Sequence, residues 1–426
     1  MSGWLGALLV LFIGILAGCG QSKDTVPVPG GTSEKKLKVT DATTPRPLLS
    51  ANALAGSPLP SYELKIAPRE LAQLEHGFFE NATHPATFIA SGMTYTNVRV
   101  RFRGQWARTW PKKPLKIFFD HEQLFEGRRC LNLNSGWRDP AFVREPLAYH
   151  LYAACGVPAP RSRMVRLQVN GTFRGLYVEV EQPDKPFLSR INRKGASVFK
   201  AASESNQSDE RDLGAEANYG HHYNLETQKS NGLGPLRSFC HDLAGASNAA
   251  AFFNQRVDLD EYINYLAATT LMQHWDCFNK NHFLLYDGRE SRKWLVIPWD
   301  LDRTFGDHWQ GGFDDAQLPI LLGTRPLPGP TGWNRMEARF FGDRGLRLRF
   351  LNRLEELLEK EFTVEKLSPF LDRLESDISA DAALDRARWP GPTRDLHSGI
   401  AQVKSYIKRR RAFLQGEVAR MRQSQG

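Results

Sequence analysis

The sequence predicts an α+β protein with two lobes, a β-rich lobe followed by a mainly helical one. Apolar residues alternate with period two in segments up to about residue 200, and helical spacing dominates from about residue 236. A short predicted hairpin interrupts the helical half. With 426 residues, 41% of them hydrophobic and 24% charged, the chain has an ordinary globular composition and enough apolar residues for two lobes.

The β-rich lobe is assigned to residues 58–205. Its strands are predicted at 96–103, 115–119, 165–169 and 173–181. Asn170-Gly171 separates the last two strands, and this pair favours a type I′ turn, so a β-hairpin is expected there. One helix is predicted over 140–155, ended by Gly156 and Pro158.

The helical lobe is assigned to residues 206–426. A polar segment, 201–217, precedes it and is predicted to be a loop that forms a lobe boundary or a lid. Helices are expected at 236–243, 248–255, 258–274, 346–361, 364–383 and 400–421. Between the third and fourth of these helices, two short strands at 280–287 and 293–299 form the predicted hairpin.

The N-terminus predicts export. Residues 4–17 form an apolar run that is too short and too Gly-rich for a comfortable membrane span, as in a signal peptide over residues 1–18. Leu16-Ala17-Gly18-Cys19 looks like a bacterial lipobox, which predicts lipidation at Cys19 and anchoring to a bacterial membrane, on its periplasmic face or at the cell surface. Residues 19–57 read as a flexible tether. The alternative is an ordinary secretory signal with an incidental Cys.

Net charge and cysteine spacing argue against two kinds of site, a nucleic-acid interface and a zinc centre. The formal charge is +9, but it is spread along the chain and no nucleic-acid-binding motif accompanies it, so we expect no nucleic acid partner. A basic surface favours an acidic or Ser-rich protein partner. Four further cysteines lack C-x-x-C spacing, which argues against a zinc site and leaves disulfide pairing open: Cys130, Cys155, Cys240 and Cys277.

Two polar segments about twenty residues apart have the composition of a phosphoryl-transfer site. Asp276 and Asn281 are spaced so that a carboxylate can orient an attacking hydroxyl while an amide oxygen binds a metal. Lys280 would neutralise charge on the transferred group. The alternative is that these residues are ordinary loop formers.

The second segment follows the buried run 294–299. Asp300 and Asp302, two positions apart at a strand end, can reach the same metal ion, and Phe305-Gly306 supplies an anchor and a flexible point. A structural Asp turn, with Asp302 paired to Arg303, is the alternative.

The nucleotide phosphates are expected at basic side chains of the β-rich lobe, because this lobe has a single Gly where a Gly-rich loop would otherwise stand. Glu181 is predicted to pair with Lys116 or Lys200. Each of these residues has a plain alternative as a surface residue of a strand. The candidate nucleotide-binding residues are Arg103, Lys113, Lys116, Glu181 and Lys200.

These segments together resemble the CotH kinase family. The resemblance rests on Arg101-Phe-Arg-Gly104 with Lys112, Lys113 and Lys116, on 139–160, on 169–177 with Glu181, on Asp276-x4-Asn281, and on Pro298-Trp-Asp-Leu-Asp-Arg-Thr-Phe-Gly306. It implies a bilobal atypical protein-kinase-like fold. It also implies transfer to Ser or Thr of a protein, dependent on ATP and on Mg²⁺ or Mn²⁺, with Asp276 catalytic and Asn281 and Asp300 on the metal.

Three other functions remain as alternatives. The same fold can transfer AMP or ligate amino acids, because fold does not fix the reaction. A metal-dependent hydrolase would use Asp300, Asp302, Asp307 and His308. A non-catalytic surface binding module would bind neither ATP nor metal.

Overall fold

The computed structural model of the chain describes residues 57–202, 207–307, 312, 315–321, 324, 333–391 and 395–424. The predicted signal peptide, Cys19 and all but the last residue of the predicted tether lie outside these residues, as does His308. Among the residues described, none of the helices combines the length and apolar character needed to cross a bilayer.

The mixed α+β class is confirmed. The strands are β1 Ser61–Lys65, β2 His84–Ala90, β3 Met93–Phe102, β4 Leu115–Phe118, β5 Cys130–Asn134, β6 Ser162–Val169, β7 Thr172–Val180, β8 Ser197–Ala201, β9 Tyr223–Leu225, β10 His282–Tyr286 and β11 Trp294–Pro298. The helices are α1 Pro68–His76, α2 Arg144–Ala154, α3 Lys185–Arg190, α4 Glu216–Tyr219, α5 Gly234–Gly245, α6 Ala249–Arg256, α7 Leu259–Met272, α8 Arg335–Gly342, α9 Arg344–Lys360, α10 Val364–Arg388 and α11 Leu396–Gln423.

The first seven strands close into a barrel in the order β1-β2-β3-β4-β5-β7-β6. Neighbours are antiparallel except β1 and β6, which pair in parallel and close the barrel. Asn170 and Gly171 both have positive φ, at 52° and 74°, as a type I′ turn between β6 and β7 requires. The inward side chains of the strands form a compact apolar core with an aromatic cluster at Tyr62, Phe88 and Phe125.

A second, four-stranded sheet has the order β11-β10-β8-β9 and packs within the larger helical core. Strand β8 precedes the predicted lobe boundary at residue 205, yet it pairs with β10 of the predicted helical lobe. The small sheet is therefore built from chain segments on both sides of that boundary.

The helix predicted over 140–155 begins later, at Arg144. The Asp139 carboxylate accepts hydrogen bonds from the backbone N–H groups of Ala141 (2.9 Å) and Arg144 (2.8 Å), and it also pairs with the Arg144 guanidinium. Phe142 has φ 58°, which is incompatible with a helix. Local side-chain bonding thus replaces the first predicted turn.

Candidate active site

The hairpin of β10 and β11 brings the two acidic segments together. Its antiparallel register pairs His282 with Pro298, so Asn281, just before β10, lies beside Trp299, just after β11. The Trp299 N–H donates to the Asn281 carbonyl at 3.2 Å. Residues that are 18 positions apart in sequence therefore meet at one end of the hairpin.

Asp276 lies in a short 3-10 turn that follows α7, and its side chain is 13% exposed. Asn281 Nδ2 donates to Asp276 Oδ2 at 2.9 Å, and Lys280 Nζ lies 3.1 Å from Asp276 Oδ1. Burial raises the pKa of Asp276 to about 6; Lys280 opposes this increase and Asp300 adds to it. The side chains of Asp276, Lys280 and Asn281 thus form one contiguous group.

The second segment is tied to the first by backbone bonds. Trp275 Nε1 donates to the Asp307 carbonyl at 2.6 Å, and the Phe305 N–H donates to the Met272 carbonyl at 2.8 Å. Asp302 is partly exposed, and its pKa is raised well above the ordinary value by loss of hydration and by the Asp300 carboxylate. Asp300 and Asp302 are therefore close enough to repel each other.

Three of the predicted cationic residues converge on this group. Lys200 of β8 pairs in register with Phe283 of β10, which follows the Asp276 loop. Burial, together with the charges of Arg103 and Lys116, lowers the pKa of Lys200 to about 8, while Asp300 acts in the opposite direction. The Arg103 guanidinium lies 5.3 Å from the centre of a Trp299 ring, directly before Asp300. Arg103, which follows β3 of the barrel, and Lys200, on β8 of the small sheet, thus contribute positive charge beside the acidic segments.

Lys113 lies in a different environment. Its Nζ donates to the Trp110 carbonyl at 3.0 Å and lies over the Phe78 ring at 5.2 Å, and its charged neighbours are Glu75 and Arg174. The structure does not place it with Lys116 and Lys200.

The predicted pairing of Glu181 is wrong. Glu181 pairs with Arg190 of α3, at 2.5 Å, and accepts from the Arg161 N–H. The next residue, Gln182, accepts from Lys116 Nζ at 3.0 Å. Side chains alternate along an extended segment, so neighbouring positions face opposite ways. Glu181 therefore faces α3, whereas Gln182 faces Lys116.

Glu145 and Asn134 complete the group and were not identified from the sequence. Asn134, at the end of β5, donates to the Glu145 carboxylate at 2.7 Å and accepts from Arg103. Burial and the Asp300 charge raise the pKa of Glu145, on α2, to about 8. Glu145 lies in an apolar helical stretch, outside any recognisable motif. The one sequence signal that could have identified it is a charged residue at a position predicted to be buried.

The carboxylates of this group raise one another's pKa values. Glu145, Asp276 and Asp302 all have raised pKa values, and Asp300 contributes to each of these increases. A cation bound there would relieve this repulsion. Across the described residues, no three His, Cys, Asp or Glu side chains are grouped so as to hold a metal by themselves. Asn281 is an amide, and in nucleotide sites phosphate and water oxygens supply the remaining ligands.

Part of the hydrolase site is occupied by other contacts. Asp307 pairs with Arg303 at 3.0 Å and with Arg138 at 3.3 Å, which ties the end of the acidic segment to the chain before α2. Asp307 thus serves at least a structural role in the described part of the chain.

Comparison with known proteins gives a consistent picture. The family described as CotH kinase protein matches residues 100–414. Inner spore coat protein H of Bacillus subtilis (strain 168) is 24% identical over 371 residues, which cover 85% of this chain and 98% of that protein. The Inner spore coat protein H-like protein of the same strain is 22% identical over 300 residues, covering 70% and 84%.

Among solved structures, the Helicobacter pylori proinflammatory kinase CtkA aligns over 72% of this chain and 94% of its own, with 9% identity and a TM-score of 0.34. A score this low supports no argument about activity.

Proposed function

The chain belongs to the CotH kinase family, and from that premise we propose that it transfers the γ-phosphoryl group of ATP to Ser or Thr of an exported or surface protein, using Mg²⁺ or Mn²⁺. Family membership supports kinase-like phosphoryl transfer in general. The observation that carries the specific proposal is the meeting of the Asp276–Asn281 loop, Asp300 and the cations Arg103, Lys116 and Lys200.

Each side chain has a role that its environment supports. Asp276 orients the acceptor hydroxyl and receives its proton, since a partly buried carboxylate with a raised pKa is a better base than an exposed one. Lys280, paired with Asp276, stabilises charge on the transferred group. Arg103, Lys116 and Lys200 bind phosphate oxygens, with Arg103 held by the Asn134–Glu145 pair.

Asn281, Asp300 and Asp302 would hold the divalent cation. A bound cation supplies charge neutralisation between the phosphates, which is the main requirement of phosphoryl transfer. Asn281 donates through its nitrogen to Asp276, and its amide oxygen is the atom that suits a hard cation.

The acceptor is proposed to be an acidic or Ser-rich protein outside the cytoplasm. Two curated relatives are named as inner spore coat proteins or as similar to one, which agrees with an assembly at a cell surface. The chain's positive charge favours an acidic acceptor. We also propose that Cys19 is lipidated and tethers the chain to a bacterial membrane; labelling with a radioactive fatty acid, lost in Cys19→Ser, tests this.

The test of the reaction compares ATP labelled at the γ- or the α-phosphate. Purified protein is incubated with an acidic Ser-rich polypeptide and Mg²⁺ or Mn²⁺, and transferred label is counted. We expect γ-label on the polypeptide, reduced about 10²–10⁴-fold in Asp276→Asn because the oriented base is lost. A comparable loss is expected in Asp300→Asn.

Asp260→Asn is the matched control, since this carboxylate is 86% exposed, pairs with Arg349 and lies in the first turn of α7, at the opposite end of that helix from Asp276. It should leave transfer unchanged. Label from the α-phosphate alone would replace the proposal with AMP transfer, and full activity in Asp276→Asn would remove its assigned role.

A further inference from the structure

A short polar run before α4 is unexpectedly buried. Ser208, Asp209 and Glu210 are 0–2% exposed, although this run belongs to the segment predicted to be a surface loop. Its backbone joins two elements: the Ser208 N–H donates to the Asn279 carbonyl at 3.0 Å, and the Asp209 carbonyl accepts from the Arg335 N–H at 2.8 Å. The run therefore bridges the Asp276–Asn281 loop and the start of α8.

His282 connects Glu210 to the loop. Its Nε2 lies 2.9 Å from the Glu210 carboxylate, and its Nδ1 lies 2.9 Å from the carbonyls of both Cys277 and Lys280. All of these partners are acceptors, so both ring nitrogens donate. The imidazole thus holds the backbone on both sides of Phe278–Asn279 while Glu210 holds the imidazole.

Asn334 supplies a third point of attachment. Its Nδ2 donates to the Glu210 carboxylate and to the Phe278 carbonyl, the latter at 2.8 Å. Its Oδ1 accepts from the Glu337 N–H at 3.1 Å and so caps α8. Three carbonyls of the loop, those of Cys277, Phe278 and Lys280, are consequently fixed by side chains from outside it.

We propose that Glu210, His282 and Asn334, the Glu210 clamp, are positioning residues that hold the Asp276–Asn281 loop in the geometry needed for phosphoryl transfer. The inference rests on the proposed function. None of the three touches the acidic group directly; they act through the backbone that carries Asp276 and Asn281. Buried, hydrogen-bonded supports of this kind fix side-chain positions that a loop alone leaves loose.

The burial and bonding of the clamp argue that it acts on this loop specifically. A buried carboxylate lowers the stability of the fold unless it is paired with a charge and hydrogen-bonded. Glu210 has both kinds of partner: His282, which directly follows the loop, and Asn334, which also bonds to the loop. The Glu210 N–H further donates to the Tyr223 hydroxyl at 3.0 Å, which joins the clamp to β9 of the small sheet. Glu210 therefore connects the Asp276–Asn281 loop to the small sheet, whose strand β8 carries Lys200.

The test uses two clamp variants and one control. Glu210→Gln keeps the shape and removes the charge. Asn334→Ser keeps a residue that caps helices well but is too short to reach Phe278 and Glu210, so it serves as the milder variant should Glu210→Gln fail to fold. Asp287→Asn is the control, because Asp287 is a buried carboxylate at the opposite end of the β10–β11 hairpin, where it accepts from the N–H groups of Glu290 and Ser291.

Two measurements are made on the full chain. Hydrogen exchange followed by mass spectrometry should show amides in residues 276–282 exchanging about tenfold faster in both clamp variants, with α10 and α11 unchanged. The Mn²⁺ concentration for half-maximal ATP-dependent transfer should rise about tenfold, since Asn281 is displaced. Asp287→Asn should match the wild type in both.

The outcomes are distinct. Unchanged exchange in the loop of the clamp variants, or equal acceleration throughout the chain, overturns the positioning role, because the latter shows general destabilisation only. An unchanged Mn²⁺ requirement in active clamp variants also overturns it. A wild type without ATP-dependent transfer would instead refute the proposed function, while the exchange measurement would still decide whether the clamp holds the loop.

Discussion

At the scale of single residues, backbone strain marks the candidate site. Gln273, Asn281, Asp300 and Phe305 all have φ between 50° and 60°, in the left-handed region that non-glycine residues seldom occupy. Such strain persists where surrounding contacts hold it, and it concentrates at functional sites. Two of the three predicted metal ligands, Asn281 and Asp300, therefore have left-handed backbone conformations.

The pKa values of two site residues predict a bell-shaped pH profile. The pKa of Asp276 is raised to about 6, and transfer needs its carboxylate, so kcat/KM should fall as pH drops through about 6. The pKa of Lys200 is lowered to about 8, and phosphate binding needs its ammonium, so kcat/KM should also fall as pH rises through about 8. Steady-state kinetics against ATP measures both limbs.

Lys200→Arg tests the assignment of the alkaline limb. A guanidinium stays charged throughout the range, so the decline above about pH 8 should move to higher pH. A profile that is flat through both values, or an alkaline limb unchanged in Lys200→Arg, would contradict the prediction.

Some residue positions could be predicted because they depend on short-range pattern. Asp276, Asn281 and Asp300 were grouped by their positions at the ends of one predicted hairpin, and the structure brings them together. Glu181 and Glu145 show the limit of this reasoning. Which carboxylate faces the candidate active site depends on how α2 and α3 pack on the barrel. A shift of one position along an extended segment turns a side chain to the opposite face.

At the scale of elements, helix α10 braces the barrel through buried ion pairs. Lys112 Nζ pairs with Asp385 at 2.5 Å, and Arg166 Nε pairs with Asp381 at 3.0 Å. The Leu176 N–H of β7 donates to the same Asp385 carboxylate at 2.8 Å. Lys112, part of a motif that suggested phosphate binding, is fully buried and has a structural partner instead.

Removing one partner of the Lys112–Asp385 pair should destabilise the fold. Asp385→Asn leaves a buried ammonium without a counter-ion and should lower the free energy of unfolding by about 3–5 kcal/mol. Lys112→Met combined with Asp385→Asn should recover part of this loss, since Asn still accepts from Leu176. Urea unfolding measures both.

Asp372→Asn is the control, because Asp372 also lies on α10 and its pair with Lys404 of α11 is partly exposed, so the pair should contribute less than about 1 kcal/mol. Equal losses in Asp372→Asn and Asp385→Asn would contradict the bracing role.

Gly175 permits the close approach of α10. It has φ 141°, and a Cβ there would overlap the Asp385 carboxylate and come within 2.9 Å of Lys112 Cε. Gly175→Ala should therefore lower the free energy of unfolding by about 3 kcal/mol, through overpacking and backbone strain together.

Gly171→Ala separates these two causes. Gly171 has φ 74° but nothing within 4 Å of an added Cβ, so only the backbone cost, about 1 kcal/mol, is expected. Similar losses for the two variants in denaturant unfolding would show that packing against α10 contributes nothing.

The elements with a clear period were predicted well, and the buried polar run was not. The hairpins of β6 with β7 and of β10 with β11 follow from alternation and turn residues. Ser208–Glu210 has the composition of an exposed loop, and its burial depends on partners at Asn279, His282 and Asn334 that lie far along the chain. Composition reports average exposure, whereas specific long-range bonds decide this case.

At the scale of the whole molecule, the described residues form a small apolar cluster at Trp275, Cys277, Phe278 and Leu318 and two large apolar cores. One fills the barrel, and the other joins the small sheet to the helices. The two-core organisation was predictable from the change of period along the chain. The sharing of β8 across the predicted boundary was not, because strand pairing between distant segments leaves no mark in local sequence.

The four cysteines of the described chain should be unreactive in the native protein. Cys130, Cys155, Cys240 and Cys277 are free and buried, and burial raises the pKa of each thiol, to about 12 for Cys155. Thiolate is the reactive form, so little reaction with a maleimide is expected. Mass spectrometry of a Cys19→Ser variant, native and in guanidinium, measures the labelling.

All four thiols should react once the chain is unfolded, which serves as the internal control. Rapid labelling of the native variant, or a disulfide found under non-reducing conditions, would contradict the buried, reduced state.

The Lys112–Asp385 contact joins positions 273 residues apart, and this separation has a consequence for biogenesis. A ribosome delivers the barrel strands long before α10, so an early barrel would carry an ammonium in its wall with nothing to neutralise it. The first half of the nascent chain is therefore expected to fold poorly by itself, because Asp385, the counter-ion of Lys112, is added only when nearly the whole polypeptide has been made.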